Sequence, residues 1–259
     1  MDGQSRFGVA LMKFVFNTTQ IAITHSDAAS ALAEVGLRLK QGRGFALATI
    51  NLDHLVKLRR DPAFLAAYAR QDIVVADGNP IVWLSRLAGR AVSLVPGSDL
   101  VLPLVQAAAA SGRPLVLFGS TSDALEGAAR TLQERVPGLV IAALIAPPFG
   151  FDPAGQAGRA MLAQIAAVGP CLCLLALGAP KQEQFAALGR DLAPMAGFAS
   201  IGAGVDFLSG HQVRAPEWVR KLAMEWVWRM LQSPTRLVPR YAACAAILPR
   251  HCVQAIKQR

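Results

Sequence analysis

The apolar run Ile73-Val74-Val75-Ala76 ends in Asp77, with Gly78 behind it. A carboxylate in that setting is partly desolvated, which raises its pKa and suits it to take a proton as a general base. An Asp-Gly pair also makes a turn unaided, so a conformational role competes with the chemical one. Other polar groups close similar runs. Thr49 and Asn51 end the first, Gly119 and Ser120 the third, and Gly178 leads into Lys181, Gln182 and Glu183 after the fifth, while Gly202 to Gly204 closes the sixth. Together they outline one pocket. Glycines that lead into helix starts present backbone N–H groups with partial positive charge, which is chemistry for phosphate oxygens. For Ser98, Asp99, Ser120 and Thr121, plain helix N-capping explains the residue types without any ligand.

These groups need a scaffold that brings run ends together. The runs are Gly44 to Ile50, Asp72 to Ala76, Pro114 to Phe118, Leu139 to Ile145, Cys171 to Leu177 and Phe198 to Gly202, with helical spacing between them, as over Asp123 to Arg135 and Gln156 to Val168. Runs this apolar are covered on both faces. The alternation predicts an α/β fold, a Rossmann-like, mostly parallel sheet flanked by helices. Such sheets bind ligands beyond the carboxyl ends of their strands, where the polar groups above fall.

With 53% hydrophobic and 17% charged residues among 259, the chain fills a large core and excludes disorder. Cys171, Cys173, Cys244 and Cys252 show no metal-ligand rhythm and read as reduced core thiols. Lys13 interrupts the apolar stretch Phe7 to Phe16 and no cleavage site follows, so no signal peptide is read. No window reaches the ~18 apolar residues of a membrane span, so any membrane contact is expected to be peripheral.

Charge is concentrated at the end. From Gly210 onward nine Lys or Arg face two acids, so the tail carries +7 of the chain's net +9. On a helical wheel, Glu217 to Leu231 gathers Trp218, Leu222, Trp226 and Met230 on one side, with Trp228 among the basic residues. A basic segment with tryptophans fits a membrane surface or a phosphate ester. The expected organisation is a catalytic α/β domain over residues 1–209 and a C-terminal helical, membrane-associating appendage over 210–259. A nucleotide- or nucleic-acid-binding protein would explain the basic pI near 10. The basic residues, however, gather in the tail rather than among aromatics on the sheet, so no nucleic-acid partner is expected. A Rossmann dehydrogenase is disfavoured too, because no GxGxxG follows the first strand.

Several motifs recur in order: Ala48-Thr49-Ile50-Asn51, Ala76-Asp77-Gly78, Gly97-Ser98-Asp99, Pro147-Pro148-Phe149-Gly150, Gly178-Ala179-Pro180-Lys181-Gln182-Glu183, Gly202-Ala203-Gly204-Val205-Asp206-Phe207 and Arg214-Ala215-Pro216-Glu217-Trp218. Glu225-Trp226, Arg229, Pro234-Thr235-Arg236 and Arg240-Tyr241 follow. In these residues the chain resembles the WecG/TagA/CpsF glycosyltransferases, family 26 of the sequence-based classification, from about residue 45 to 241.

The resemblance implies an inverting, UDP-sugar-dependent hexosyl or N-acetylhexosaminyl transferase. Its acceptor would be a polyprenyl-diphosphate-linked sugar at the cytoplasmic membrane face, in the synthesis of surface polysaccharide or cell-wall polymer. By position in the family pattern, Asp77 is the candidate base, with Thr49 and Asn51 holding the donor sugar or the acceptor hydroxyl. Gly119, Ser120, Gly178, Lys181, Gln182 and Gly202 fall to the UDP-sugar, Gln182 on the sugar itself, and Lys181 is either a ligand contact or a solvated lysine. No Asp-x-Asp occurs in the chain. Neither metal nor cofactor is therefore expected, and Arg229, Arg236 and Arg240 stand at positions the family uses for the diphosphate, where a guanidinium fork fits. They serve equally well as a basic face for lipid headgroups. The expected partners are thus the UDP-sugar, the lipid-linked acceptor and an anionic membrane surface, with self-association into a homo-oligomer left open. The implied location is the cytoplasm, peripherally attached to the inner face of the membrane.

Overall fold

A computed structural model describes residues 11–202 and 233–259, together with Gly204, Trp228 and Met230. Two short strands, β1 (Lys13–Phe16) and β2 (Thr19–Ala22), open it as an antiparallel hairpin. The sequence reading missed this hairpin. Lys13 and Val15 point out and Phe14 and Phe16 point in, a period-two alternation concealed inside a longer apolar stretch.

Beyond the hairpin, the chain alternates helices and strands: α1 (Ala28–Lys40), β3 (Phe45–Ile50), α2 (Leu52–Arg60), α3 (Pro62–Tyr68), β4 (Ile73–Ala76), α4 (Asn79–Leu87), α5 (Gly97–Ala110) and β5 (Leu115–Gly119). Then come α6 (Ser122–Arg135), β6 (Ile141–Ile145), α7 (Gln156–Val168), β7 (Leu172–Ala176), α8 (Lys181–Leu192) and β8 (Gly197–Ser200). All six expected runs are strands, and both expected helices form. The strands make one wholly parallel sheet in the order β4-β3-β8-β7-β5-β6. The chain builds one edge with β3 and β4, crosses to build the other with β5 and β6, and fills the gap last with β7 and β8. The final strand thus lies against the first.

Both faces of the sheet are covered, as the apolar strands require. On one face Leu47, Val75, Leu117 and Leu174 pack under Val35, Leu104, Leu125 and Leu132 of α1, α5 and α6. On the other, Ala48, Ile50 and Val74 meet Leu55, Phe64 and Leu84, while Phe118, Cys173 and Phe198 meet Leu162, Ile165 and Phe185. All four cysteines are free, and Cys171, Cys173 and Cys244 are buried.

The last helix, α9 (Pro234–Ile256), packs on α2 and α4 and reaches the hairpin. Its His251 meets the Phe14 ring edge-on at 5.8 Å. The Lys13 backbone N–H donates to Gln258 Oε1 at 2.9 Å, and Gln258 Nε2 donates back to the Lys13 carbonyl. The end of the expected appendage is therefore part of the body's second core. Its earlier portion, including most of the Glu217 to Leu231 wheel, lies outside the described residues.

Because Ile247 of α9 is buried in that core, Ile247→Ala should destabilise the whole body, by about 2–4 kcal/mol. Urea unfolding followed by a probe of the sheet checks this, and an unchanged midpoint would show α9 to be an ornament.

Candidate active site

Since all six strands run the same way, their carboxyl ends share one edge, and the expected site residues lie along it. Thr49 is buried at the end of β3, Asp77 follows β4, Gly119 ends β5, Gly178 follows β7 and Gly202 follows β8. From the β4 end to the β5 end is four strand spacings, roughly 19 Å. One ligand meeting both must be extended.

The β3 and β4 ends are built from a cap and a backbone tie. Asn51 is the N-cap of α2: its Oδ1 accepts from the His54 N–H at 3.1 Å, and His54 Nδ1 accepts from the Asn51 N–H at 3.3 Å. This uses Oδ1 and leaves the Asn51 NH2 group for a ligand. The Asp77 N–H donates to the Ile50 carbonyl at 2.8 Å, which fixes the half-buried Asp77 beside the end of β3.

On the other side, Ser120, Gly178 and Lys181 line a cleft of about 360 Å³ with Pro147, Pro148 and Phe149. The Phe149 ring stands fully in solvent at its rim. Gly119 is required by close approach, because a Cβ there would collide with the Ala176 carbonyl. Ser120 is left-handed at φ 52, so it does not cap α6; Thr121 does, accepting from the Ala124 N–H at 3.3 Å. Ser98 and Asp99 are not caps either, since they lie in the first turn of α5. The N-cap residues of α4, α5 and α8 are Gly78, Pro96 and Pro180, and none of these helices has a side-chain cap.

Gln182 is buried, and both ends of its amide are engaged. Its Nε2 donates to Glu183 Oε1 at 2.8 Å, and its Oε1 accepts from the Gly202 N–H at 3.1 Å. Glu183, fully buried, accepts at its backbone carbonyl from Gln71 Nε2 at 3.1 Å and faces His54 Nε2 at 3.9 Å. Its Oε2 and the Tyr68 hydroxyl, both buried, meet no hydrogen-bond partner among the described residues. Sequence reasoning quoted Glu183 without giving it a role and did not single out His54 or Tyr68. The available signal was a carboxylate three and four residues before Ala186 and Ala187, on the inward stripe of α8.

The C-terminal helix reaches this neighbourhood. Arg240 Nε pairs at 3.2 Å with Oδ1 of Asp53, two residues beyond Asn51, and Asp53 Oδ2 also holds Lys57 at 2.8 Å. Lys57 Nζ in turn donates to the Ala179 carbonyl at 3.1 Å. Arg236 lies on α9 with its side chain outside the description, and Arg229 is outside it entirely. Trp228 is half-buried, with its indole Nε1 shielded.

The model of the Glycosyl transferase WecG/TagA/CpsF family matches residues 16–259. The chain belongs to this family. Among its relatives is the N-acetylglucosaminyldiphosphoundecaprenol N-acetyl-beta-D-mannosaminyltransferase of Bacillus subtilis (strain 168), 28% identical over 79% of this chain and 80% of the relative. The protein of the same name from Bacillus spizizenii is also 28% identical, over 76% of this chain and 75% of its own. The WecG/TagA/CpsF match takes in β2 and all of α9, so the family extends beyond the motif-bearing stretch at both ends.

Within this WecG/TagA/CpsF chain the buried polar cluster has opposed electrostatics. Burial pushes the Glu183 carboxyl up to about 7 from its ordinary 4.5, and pushes the His54 imidazole down to about 4 from 6.5. Burial, then the charges of Glu183 and Asp77, also push the Tyr68 phenol well up. The signs follow from linkage. A raised carboxyl favours folding while protonated, so Glu183 withdraws stability as pH rises from about 4.5 to about 7. A depressed imidazole acts oppositely, and His54 withdraws stability as pH falls from 6.5 towards about 4. Glu183→Gln should therefore gain on the parent across the carboxyl's window, by roughly 3 kcal/mol in full. Thermal melts of both proteins over that pH range check it, and a constant difference would show that Glu183 is not the titrating group.

Proposed function

We propose that this chain moves a sugar from a UDP-sugar onto a polyprenyl-diphosphate-linked saccharide, inverting the anomeric centre to give a β-linkage in surface-polysaccharide or cell-wall polymer synthesis. The relatives' names make N-acetyl-β-D-mannosaminyl transfer to N-acetylglucosaminyl-diphosphoundecaprenol the leading case. The observation that carries the reading is the sharing of one sheet edge by a half-buried carboxylate, Asp77, and by a glycine-bordered cleft beside uncapped helix starts.

In this mechanism Asp77 takes the proton from the acceptor hydroxyl, whose oxygen attacks the anomeric carbon while UDP leaves from the opposite face. The transition state is oxocarbenium-like. Thr49 and the Asn51 NH2 group hold the sugar or the attacking hydroxyl. The departing diphosphate meets the starts of α5 and α8, which lack side-chain caps, with Lys181, Arg229, Arg236 and Arg240 as counter-charges. Phe149, a solvated ring at the cleft rim, supplies a face on which the uracil can stack. With no Asp-x-Asp pair to hold a cation, transfer should run in excess EDTA, and Asp77→Asn should lower turnover about 10²-fold or more with UDP affinity nearly unchanged. A transfer assay with parent and variant, with and without chelator, decides it: near-normal turnover in the variant sinks the base, and activity that returns only with magnesium or manganese sinks the metal-free mechanism.

Peripheral attachment to an anionic membrane follows from the acceptor. Among the described residues no helix is long and apolar enough to cross a bilayer. Along α9, Val238, Ala242, Ala245, Pro249, Val253 and Ile256 are all exposed and fall within one uncharged stripe, flanked by Arg250 and Lys257. Trp83 and Leu87 stand exposed on α4, against which α9 packs. This is the composition of a surface that lies in headgroups. Val253→Glu with Ile256→Glu should reduce sedimentation with anionic vesicles while sparing transfer to a soluble short-chain acceptor, and salt should weaken parent binding. Equal sedimentation of parent and double variant would remove α9 from the membrane face.

A further inference from the structure

We propose that Glu183 is a positioning residue of the transfer site: its carboxylate turns the Gln182 amide so that the amide oxygen meets the Gly202 N–H, tying the end of β7 to the end of β8. The kinetic consequence rests on the transferase reading, whereas the geometry does not.

A glutamine amide can lie either way round, with its NH2 group or its oxygen towards a given neighbour. A carboxylate only accepts, so Glu183 draws the Gln182 NH2 to itself at 2.8 Å and leaves the oxygen for the Gly202 N–H at 3.1 Å. That bond matters because Gly202 is left-handed, at φ 58, and has no side chain of its own with which to fix the turn. Glu183 is itself held from three directions. Gln71 donates to its backbone carbonyl, Gln182 to its Oε1, and the proton of His54, assigned to Nε2 because Nδ1 accepts from the Asn51 N–H, faces Oε1 as well. The ends of β3, β7 and β8 therefore meet at one buried carboxyl group.

A neutral residue of the same shape would be easier to bury, because a desolvated carboxylate with an unpartnered oxygen works against folding. Violations of that kind concentrate at functional sites. The groups whose charges bear on this cluster are Asp53, His54 and Lys57 of α2, Tyr68 of α3, Asp77 after β4 and Arg240 of α9. The adjoining β3 and β8 contribute no ionisable side chain, and α7 only the exposed Arg159.

The test uses Glu183→Gln, Glu183→Leu and Gln182→Leu in the full chain. Hydrogen exchange of the segment ending at Gly202 should quicken in Glu183→Leu as much as in Gln182→Leu, and stay at the parent's rate in Glu183→Gln, whose Oε1 still accepts. In the transfer assay, Glu183→Leu should lose roughly 10- to 100-fold in kcat. Glu183→Gln should keep the parent's kcat, because its Oε1 still accepts from the Gln182 NH2. If the parent moves no sugar, the transferase reading fails, and the exchange comparison still decides the positioning role. Parent-like exchange in Glu183→Leu overturns the proposal, as does a loss of kcat in Glu183→Gln equal to that in Glu183→Leu. Should Glu183→Leu not fold, Glu183→Gln decides alone, and exchange at Gly202 as quick as in Gln182→Leu overturns the proposal.

Discussion

The parallel direction of six strands is the constraint from which the site follows. Parallel strands cannot be joined by tight hairpins, so each connection must carry the chain back over a face of the sheet, and the helices do that. Every strand then delivers its carboxyl end, and the polar residues behind it, to the same edge. The chain exploits this twice, by building both edges of the sheet first and by closing the centre with β7 and β8. That late closure brings the Gly178 and Gly202 turns between the Asp77 end and the Gly119 end, which makes one continuous rim from separate segments.

Under that rim lies a polar cluster that works against stability. His54 and Glu183 are buried in forms whose titrations oppose each other, so their stability slopes offset over the pH range they share. What the cluster provides is rigidity where the strand ends would otherwise be held only by backbone turns. The capping box at Asn51 and the Gln182 bond to Gly202 both depend on it. In the proposed transfer, which holds a sugar and a hydroxyl in register, such fixed dipoles serve better than extra apolar burial.

The C-terminal helix has two sides in different settings. Its inner side completes the second hydrophobic core through Cys244, Ile247 and Ala255, and sends Arg240 to Asp53 near the start of α2. The outer side is an uncharged stripe with Arg250 and Lys257 along one flank. A helix fixed to the body in this way would couple the proposed membrane contact to the proposed catalytic edge through rigid packing.

Much of this was legible in the chain. The six strands appeared because residues buried on both faces of a parallel sheet must be apolar without interruption, and such runs stand out in any sequence. The edge residues Thr49, Asn51, Asp77, Gly119, Ser120, Gly178 and Gly202 were visible because polar and glycine residues interrupt those runs where the strands end. The hairpin was not legible, since four residues of alternation lie inside a longer apolar stretch. Nor was the strand order: the pairing of β8 with β3 joins residues some 150 positions apart, and no local pattern encodes it. Roles that depend on what a side chain faces were likewise decided only by the fold. Gln182 was read as a sugar contact and lies with its amide turned inward, Thr121 rather than Ser120 became the cap, and Glu183 acquired its significance from burial. Sequence fixes period and punctuation because these act between neighbours, whereas desolvation and hydrogen-bond partners arise only when distant segments close over one another.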